Sequence, residues 1–296
     1  MLYSFQKSDP SLSAGVRRIA RGQVEEAIAE LDDPALEAGD AIHQVRKRCK
    51  KLRGLVRLVR PGLEAYEAEN AAIRDIARGL SGLRDATVVF ETLGALEQRF
   101  GETLGGSFFQ DVRAGSGIPG DAPNAAGAAK RLKEARVALT ELRDRTDSWK
   151  VTGKSVKVIA AGVTKTYKRT ITAMEAAALS ADPADFHEWR KGVKYHLYQM
   201  RLMKRMWPKG MHVRIVEART LADELGRHHD FALFRTVMLP RLESADARTR
   251  EALGALIEAE EQRLAPRCLK HGRRLFAEDA DAFGERVAAY WKVWRD

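Results

Sequence analysis

The chain has 296 residues, of which 45% are hydrophobic and 31% are charged, and it carries a formal net charge of +10. This length and apolar content suffice for a buried core in one large domain or two ordinary ones, and no window is apolar for long enough to span a membrane. The first residues lack the basic region and apolar core of a secretory signal, so we expect a cytoplasmic protein, and the excess positive charge indicates a polyanionic partner or an anionic surface.

Helical periodicity dominates the chain from its first segment, which runs to Leu31, to its last. A strongly basic segment follows, with Asp40 as its expected N-cap and Pro61 as its end, and two further helices are expected before the next break. Residues 105–129 are rich in Gly, Pro and Ala without a sustained period, which predicts a long loop. Further helices are predicted over 130–147, 154–179, 182–208, 212–226, 230–242, 247–277 and 279–296.

The two halves of the chain resemble each other. The stretch GLSGLRDATVVFETL can be aligned with DELGRHHDFALFRTV, so that Asp85 matches Asp230. No segment shows the period-2 pattern of a strand, and each half holds roughly four antiparallel helices. We therefore predict an all-α fold of tandem helical bundles, in which 10–147 and 150–296 are two repeats within a single domain that spans 1–296.

Positive charge is concentrated in two of the predicted helices. Residues 40–60 contain eight Lys or Arg and one acid, and residues 185–209 contain seven and two. Together these segments carry more positive charge than the chain as a whole, whose net charge is +10. The basicity of the protein therefore belongs to these two helices.

Each of these helices has a basic face and an apolar back when residues are placed at about 100° per position. In the first, the basic face holds His43, Arg46, Lys47, Lys50, Gly54 and Arg57, and the apolar back holds Val45, Cys49, Leu52, Val56 and Val59. In the second, the basic face holds His187, Arg190, Lys191, Lys194, Tyr198, Arg201 and Arg205, and the apolar back holds Trp189, Val193, Met200, Met203 and Trp207. Neither face contains an acid, whereas a solvated face normally mixes signs, so rows of fixed cations for an oxyanion chain are indicated.

The histidines admit more than one role. Neighbouring cations disfavour protonation of His43 and His187, so each is expected to donate an N–H to a phosphate oxygen rather than to add a charge. Metal binding would need further ligands nearby and would be opposed by the surrounding Lys and Arg, so no metal site is predicted. For His228 and His229 we expect capping or packing, with metal binding as the alternative, and for His196 a hydrogen-bonded position in the core.

The two helices, each opening with His-x-x-Arg-x-x-x-Lys, and the matching LRDATVV and HHDFALF segments resemble the CHAD family, the conserved histidine α-helical domain. The resemblance covers about residues 10–295. It implies two four-helix bundles related by a pseudo-two-fold axis, with a basic central channel or surface that binds inorganic polyphosphate. By this analogy the motif positions are His43, Arg46, Lys50, Arg53 and Arg57 in the first repeat and His187, Arg190 and Lys194 in the second.

The second copy departs from the family pattern. Leu197 stands where another base is frequent, ten residues after His187. The two halves therefore need not contribute equally, and Lys191, Arg201 and Arg205 are the residues that would compensate.

The predicted polyphosphate-binding residues form two tiers. The first tier is His43, Arg46, Lys47, Lys50, Arg53, Arg57, His187, Arg190, Lys191, Lys194, Tyr198, Arg201 and Arg205. The second tier is Arg17, Arg21, Lys165, Lys168, Arg169, Arg263, Arg267, Lys270 and Arg274.

The predicted function is non-catalytic binding of inorganic polyphosphate, with no cofactor and no membrane partner. The chain lacks an acidic Glu-x-Glu-x-Lys array, a Walker-type Gly-Lys-Ser/Thr loop and a local nucleophile signature. Nucleic-acid binding through the same faces is the alternative, although stacking aromatics are scarce on them, and histidine-based phosphotransfer is a third hypothesis. The sequence leaves open the oligomeric state, the preferred chain length and any association with polyphosphate granules.

Overall fold

The computed structural model describes residues 3–81, 85–104, 106–115, 125–242 and 247–296, and these residues contain α-helices and no β-strand. The prediction of an all-α fold is confirmed. No helix within these ranges combines the length and the apolar character that a bilayer crossing requires. The helices are α1 (Leu12–Asp32), α2 (Ala38–Val59), α3 (Tyr66–Gly79), α4 (Asp85–Leu104), α5 (Gly106–Gly115), α6 (Ala125–Thr146), α7 (Ser155–Ser180), α8 (Pro183–Leu202), α9 (Pro208–Met238), α10 (Ala247–Leu275) and α11 (Ala280–Arg295).

Local signals in the sequence start several of these helices. The Asp182 side chain accepts a hydrogen bond from the backbone N–H of Ala184 at 2.8 Å, and proline occupies the first position of α8, as predicted. The predicted N-cap of α2, Asp40, is wrong by three residues, because α2 begins at Ala38 after Glu37 and Asp40 lies in its first turn. There the carboxylate still complements the positive end of the helix dipole.

The predicted boundaries around α9 are also wrong. α8 ends at Leu202 instead of continuing to Trp207, and residues 203–206 form a turn before α9 begins at Pro208. The predicted break at GRHHD does not occur, and α9 is one continuous helix. Packing stabilises the helix at this point, since the ring of His228 stacks on Phe186 with centroids 4.3 Å apart.

α2 lies at the centre of the molecule. It packs against α1 and α3, and also against α7 and α8 from the second half of the chain. α1 and α3 contact α6, whereas α7 contacts α8 and α11, and α8 contacts α9. The apolar back of α2 that the sequence predicts, including Val45 and Leu52, is fully buried in the main core. α2 therefore joins the two halves of the protein.

Two glycines permit the close contacts of α2. A Cβ atom added to Gly162 of α7 would lie 1.7 Å from the carbonyl oxygen of Leu58. A Cβ atom added to Gly54 would lie 2.7 Å from Cβ of Tyr198 on α8. Because any side chain at these positions would overlap its neighbour, glycine allows α2 to approach both α7 and α8.

A second, separate apolar cluster forms where α4 and α5 pack with the C-terminal part of α9 and the N-terminal part of α10. Phe109 and Val112 of α5 are buried in this cluster. The loop predicted over 105–129 is therefore wrong for Gly106–Gly115, where a short apolar face is stabilised by tertiary packing. It is also wrong from residue 125 onward, where α6 begins, while residues 105 and 116–124 lie outside the described residues.

Candidate functional site

The basic faces of α2 and α8 border two hollows that meet. The histidine compartment has a volume of about 290 Å³ and is lined by Arg46, Lys50, Arg53, Glu91, His187, Arg190, Lys191, Lys194, Tyr195, Tyr198, His229, Asp230 and Leu233. The arginine compartment has a volume of about 360 Å³ and is lined by Arg53, Arg57, Arg60, Arg74, Arg78, Thr166, Arg169, Ala173, Glu188, Lys191, Gly192 and Tyr195. Because Arg53, Lys191 and Tyr195 line both, the two compartments adjoin, and the pair is called the trough below.

Contacts with α3 and α8 hold the cations of α2 in the trough. Arg46 donates through Nη1 to the carbonyl oxygen of Ala77 at 2.8 Å, and Arg53 donates through Nε to Oδ1 of Asn70 at 3.2 Å. The guanidinium carbon of Arg57 lies 4.4 Å from the centroid of the Tyr195 ring, which is a cation–π contact. These groups are therefore positioned before any ligand arrives.

Several of the cations are held away from water. Burial lowers the pKa of Arg53, Arg60 and Lys194, since the charged form loses solvation. The arginines stay protonated at neutral pH, because the ordinary pKa of a guanidinium lies above 12. Partly desolvated, fixed positive charges interact more strongly with an anion than charges in bulk water do.

A pair of histidines lies in the histidine compartment. The rings of His187 on α8 and His229 on α9 have centroids 4.1 Å apart. Burial, followed by the charges of Lys191 and Arg190, lowers the pKa of His187, and burial, followed by His187, lowers the pKa of His229 to about 4. Both rings are therefore neutral at pH 7 and can each donate one N–H. Nδ1 of His187 is buried and has no hydrogen-bond partner among the described residues.

The description of the second basic face as free of acids is wrong in the folded protein. Lys191 forms a salt bridge with Glu188, and Nζ of Lys194 lies 3.6 Å from Oδ1 of Asp223. Glu188 also lines the arginine compartment. Positive charge on α8 is therefore partly compensated by carboxylates of α8 and α9.

The trough brings together most of the first tier and leaves four of its members out. Those that line it are Arg46, Lys50, Arg53, Arg57, His187, Arg190, Lys191, Lys194 and Tyr198. His43, Lys47, Arg201 and Arg205 line neither compartment. Arg205 lies in the turn after α8, and the same turn leaves Trp207 48% exposed, so this residue does not belong to the apolar back.

Most of the second tier lies elsewhere. Arg169 lines the arginine compartment, whereas Lys165 and Lys168 line a separate hollow between α7 and α11. Arg263, Arg267 and Arg274 form salt bridges with Glu260, Glu224 and Glu217, respectively. Arg17 donates to the carbonyl of Trp149, Arg21 pairs with Glu25 and Asp147, and Lys270 lines neither compartment.

Among the basic and aromatic residues that line the trough, the sequence analysis missed five, namely Arg60, Arg74, Arg78, Tyr195 and His229. The two arginines of α3 are four positions apart, so they share a helix face, and this spacing could have indicated a cationic patch. The others come from an end of α2, from the edge of the α8 face, and from α9, and only the packing of these helices brings them to one place.

Two further histidines, His196 and His228, lie in the core. His228 is buried against Phe186, as expected for a packing role, and burial lowers its pKa to about 4. His196 is fully buried, which lowers its pKa to about 3, but neither ring nitrogen has a hydrogen-bond partner in the part of the chain that the structure describes. The prediction that His196 is hydrogen-bonded in the core is therefore wrong about the hydrogen bond. The described ranges contain no group of three or more His, Cys, Asp or Glu that could hold a metal ion.

Comparison with known families gives one match. The model of the family described as "CHAD domain" matches residues 18–239, which is most of the chain. No curated protein and no solved structure matches the chain.

Proposed function

Because the chain belongs to the CHAD domain family, which is associated with polyphosphate binding, we propose that it binds inorganic polyphosphate in the trough between α2 and α8 without cleaving it. The observation that carries this proposal is the meeting of the two compartments. Arg53 of α2 and Lys191 and Tyr195 of α8 line both of them, so the cations of the two helices border two adjoining compartments.

The dimensions of the trough suit an extended polyanion. Arg46 lines one compartment and Arg60 the other, and fourteen helical positions correspond to ~21 Å along the axis of α2. A polyphosphate chain has closely spaced oxyanions and no bases. Rows of arginine and lysine at helical spacing provide bidentate and point-charge contacts along such a chain.

Nucleic acid fits the trough less well. Proteins that bind single strands use exposed aromatic rings on which bases stack. The ring of Tyr195 is already in contact with the guanidinium groups of Arg53 and Arg57, at 5.7 and 4.4 Å, and Tyr198 is only 6% exposed. These contacts favour a ligand that offers phosphates alone.

In this proposal α2 and α8 are equivalent helices of two repeats, 10–147 and 150–296, related by a pseudo-two-fold axis. Three features support the equivalence. Both helices carry the same His-x-x-Arg-x-x-x-Lys spacing, both pack against the helices that precede and follow them, and they pack against each other. The cytoplasmic location and any association with polyphosphate granules are part of the same proposal.

Competition between two polyanions tests the proposed ligand. Labelled long-chain polyphosphate is bound to the protein, and unlabelled polyphosphate or double-stranded DNA is added at equal phosphate concentration while fluorescence anisotropy is measured. We expect polyphosphate to displace the label and DNA to displace little of it. The salt concentration is held constant, because counterion release strengthens the binding of either polymer. Equal displacement by DNA would show that the trough binds polyanions without regard to their chemistry.

A further inference from the structure

The arginine compartment differs chemically from the histidine compartment. Within the described residues, its lining holds six arginines and one lysine against one carboxylate, that of Glu188, which already pairs with Lys191. The histidine compartment holds six cations instead of seven, together with the carboxylates of Glu91 and Asp230 and the neutral pair of histidines. The arginine compartment is therefore the more positive of the two, and guanidinium groups dominate it.

Several donors in the arginine compartment are buried without a partner. Nε of Arg57 and two of the three guanidinium nitrogens of Arg60, Nε and Nη2, have no hydrogen-bond partner among the described residues. Burial lowers the pKa of Arg60, a hydrogen bond with Tyr66 and the charge of that group oppose the shift, and the smaller contributions of Arg57 and Arg169 add to it. Buried donors of charged groups are normally satisfied, so these nitrogens indicate an oxygen-rich, anionic ligand.

Tyr195 orients this compartment and shapes its specificity. Its ring contacts the guanidinium groups of Arg53 and Arg57, which leaves their in-plane N–H groups able to reach phosphate oxygens. Because the ring is occupied, it does not offer a nucleotide base a stacking surface. An oligophosphate can therefore make the same contacts with the guanidinium groups as a nucleotide that has an equal number of phosphates.

We infer that the arginine compartment is by itself a binding site for short inorganic oligophosphates, such as tripolyphosphate, and that it does not require the histidine compartment. Each guanidinium fork matches two oxygens of one phosphate, and a volume of about 360 Å³ is typical of a small-ligand pocket. This assignment rests on the proposed function, because a long polyphosphate would pass through the same compartment on its way along the trough.

Two matched double variants separate the compartments. Arg60→Gln with Arg169→Gln removes two charges from the arginine compartment, and Lys50→Gln with Lys194→Gln removes two from the histidine compartment. Calorimetry with inorganic tripolyphosphate is expected to show a loss of affinity of about 100-fold for the arginine variant, which is about tenfold for each lost charge-assisted contact. The lysine variant of the histidine compartment is expected to lose less than about threefold. ATP, which carries the same number of phosphates, is expected to bind no more tightly than tripolyphosphate.

Additional measurements keep the outcomes distinct. Circular dichroism and thermal unfolding check that each variant folds. The double variant Arg60→Lys with Arg169→Lys keeps the two charges but loses the guanidinium forks. This double variant is expected to lose about tenfold in tripolyphosphate affinity. Absence of tripolyphosphate binding to the unaltered protein, or equal losses in the two glutamine variants, would overturn the inference even if long-chain polyphosphate still binds. Failure of long-chain polyphosphate to bind would instead reject the proposed function.

Discussion

α2 and α8 begin with the same spacing of histidine, arginine and lysine, but the fold places their cations in different surroundings. On α2, Arg53 and Arg57 lie against the uncharged ring of Tyr195. On α8, Lys191 is paired with Glu188, and Lys194 lies 3.6 Å from Asp223. The cations of the two helices therefore meet different neighbours at the trough, a tyrosine ring on α2 and carboxylates on α8.

The two helices also differ beyond the motif. Leu197, which stands where the family frequently has a base, is 1% exposed and belongs to the main core. Tyr198 is buried against Tyr3 and Gly54, and Arg205 lies outside the helix. This difference teaches that a repeated motif specifies which residues share a helix face. The residues that pack against that face determine how many of its cations can contact a ligand.

The largest expected effect comes from removing charge from one helix at a time. Replacing Arg46, Lys50 and Arg57 of α2 by glutamine is expected to weaken long-chain polyphosphate binding by at least about 100-fold, because charged hydrogen bonds contribute ~1.5–3 kcal/mol each before screening. Replacing Arg190, Lys191 and Lys194 of α8 is expected to cost about tenfold, since carboxylates already offset part of that charge. Titration at constant salt measures both losses.

The matched control for these variants replaces three exposed lysines outside both compartments by glutamine, namely Lys130, Lys133 and Lys209. This variant has the same change in net charge, so we expect its affinity to stay within about threefold of the unaltered protein. Equal losses in the α2 and α8 variants would contradict the difference between the helices. An equal loss in the control would mean that overall charge, and not the trough, governs binding.

An intermediate effect is expected where α2 contacts α8. Gly54→Ala places a methyl group against Tyr198 and is expected to lower the free energy of unfolding by ~1–3 kcal/mol, as overpacking does. Gly39→Ala on the same helix meets no atom within 4 Å and is expected to raise it by up to about 1 kcal/mol. Denaturant unfolding measures both changes.

The same two variants also test whether α2 and α8 bind polyphosphate as one surface. If α2 and α8 form one binding surface, Gly54→Ala also lowers polyphosphate affinity, because the two basic faces shift relative to each other, while Gly39→Ala leaves it unchanged. Unchanged affinity in folded Gly54→Ala would mean that the helices contribute independently.

The smallest expected effect is a dependence on pH that belongs to the α8 side. His187 and His229 face Lys50, Arg190 and Lys191, and their pKa values are lowered in the free protein, to about 4 for His229. A bound polyanion raises these pKa values, so binding takes up protons and affinity increases as the pH falls from 7 toward 5. We expect an increase of several-fold, which calorimetry in buffers of different ionisation enthalpy can assign to protons.

Asparagine at positions 187 and 229 is expected to remove this increase while retaining a donor at each site. His212→Asn provides the control, because His212 is exposed and lines neither compartment. The same pH dependence in the double asparagine variant would exclude the histidine pair as its source.

Much of the fold and part of the trough could be predicted because they depend on local properties. The helical period placed Val45, Leu52, Trp189 and Val193 on buried faces, and all four are fully buried. The break predicted within α9 and the loop predicted over α5 were wrong because packing of His228 and Phe109 outweighs weak local propensity. Arg60 and His229 could not be assigned to the trough from their own helices, since other helices complete it.

The sequence by itself determined that the chain is helical and that two helices carry a cationic face opposite an apolar one, because these properties repeat along the chain with the period of the helix. Only the tertiary structure decided which cations share a space and which meet a carboxylate. Glu188 and Lys191 are neighbours on one helix, but the meeting of Arg60 with Arg169, or of His187 with His229, requires separate helices to pack. Charge at a site depends on distance in space, and the sequence specifies only distance along the chain.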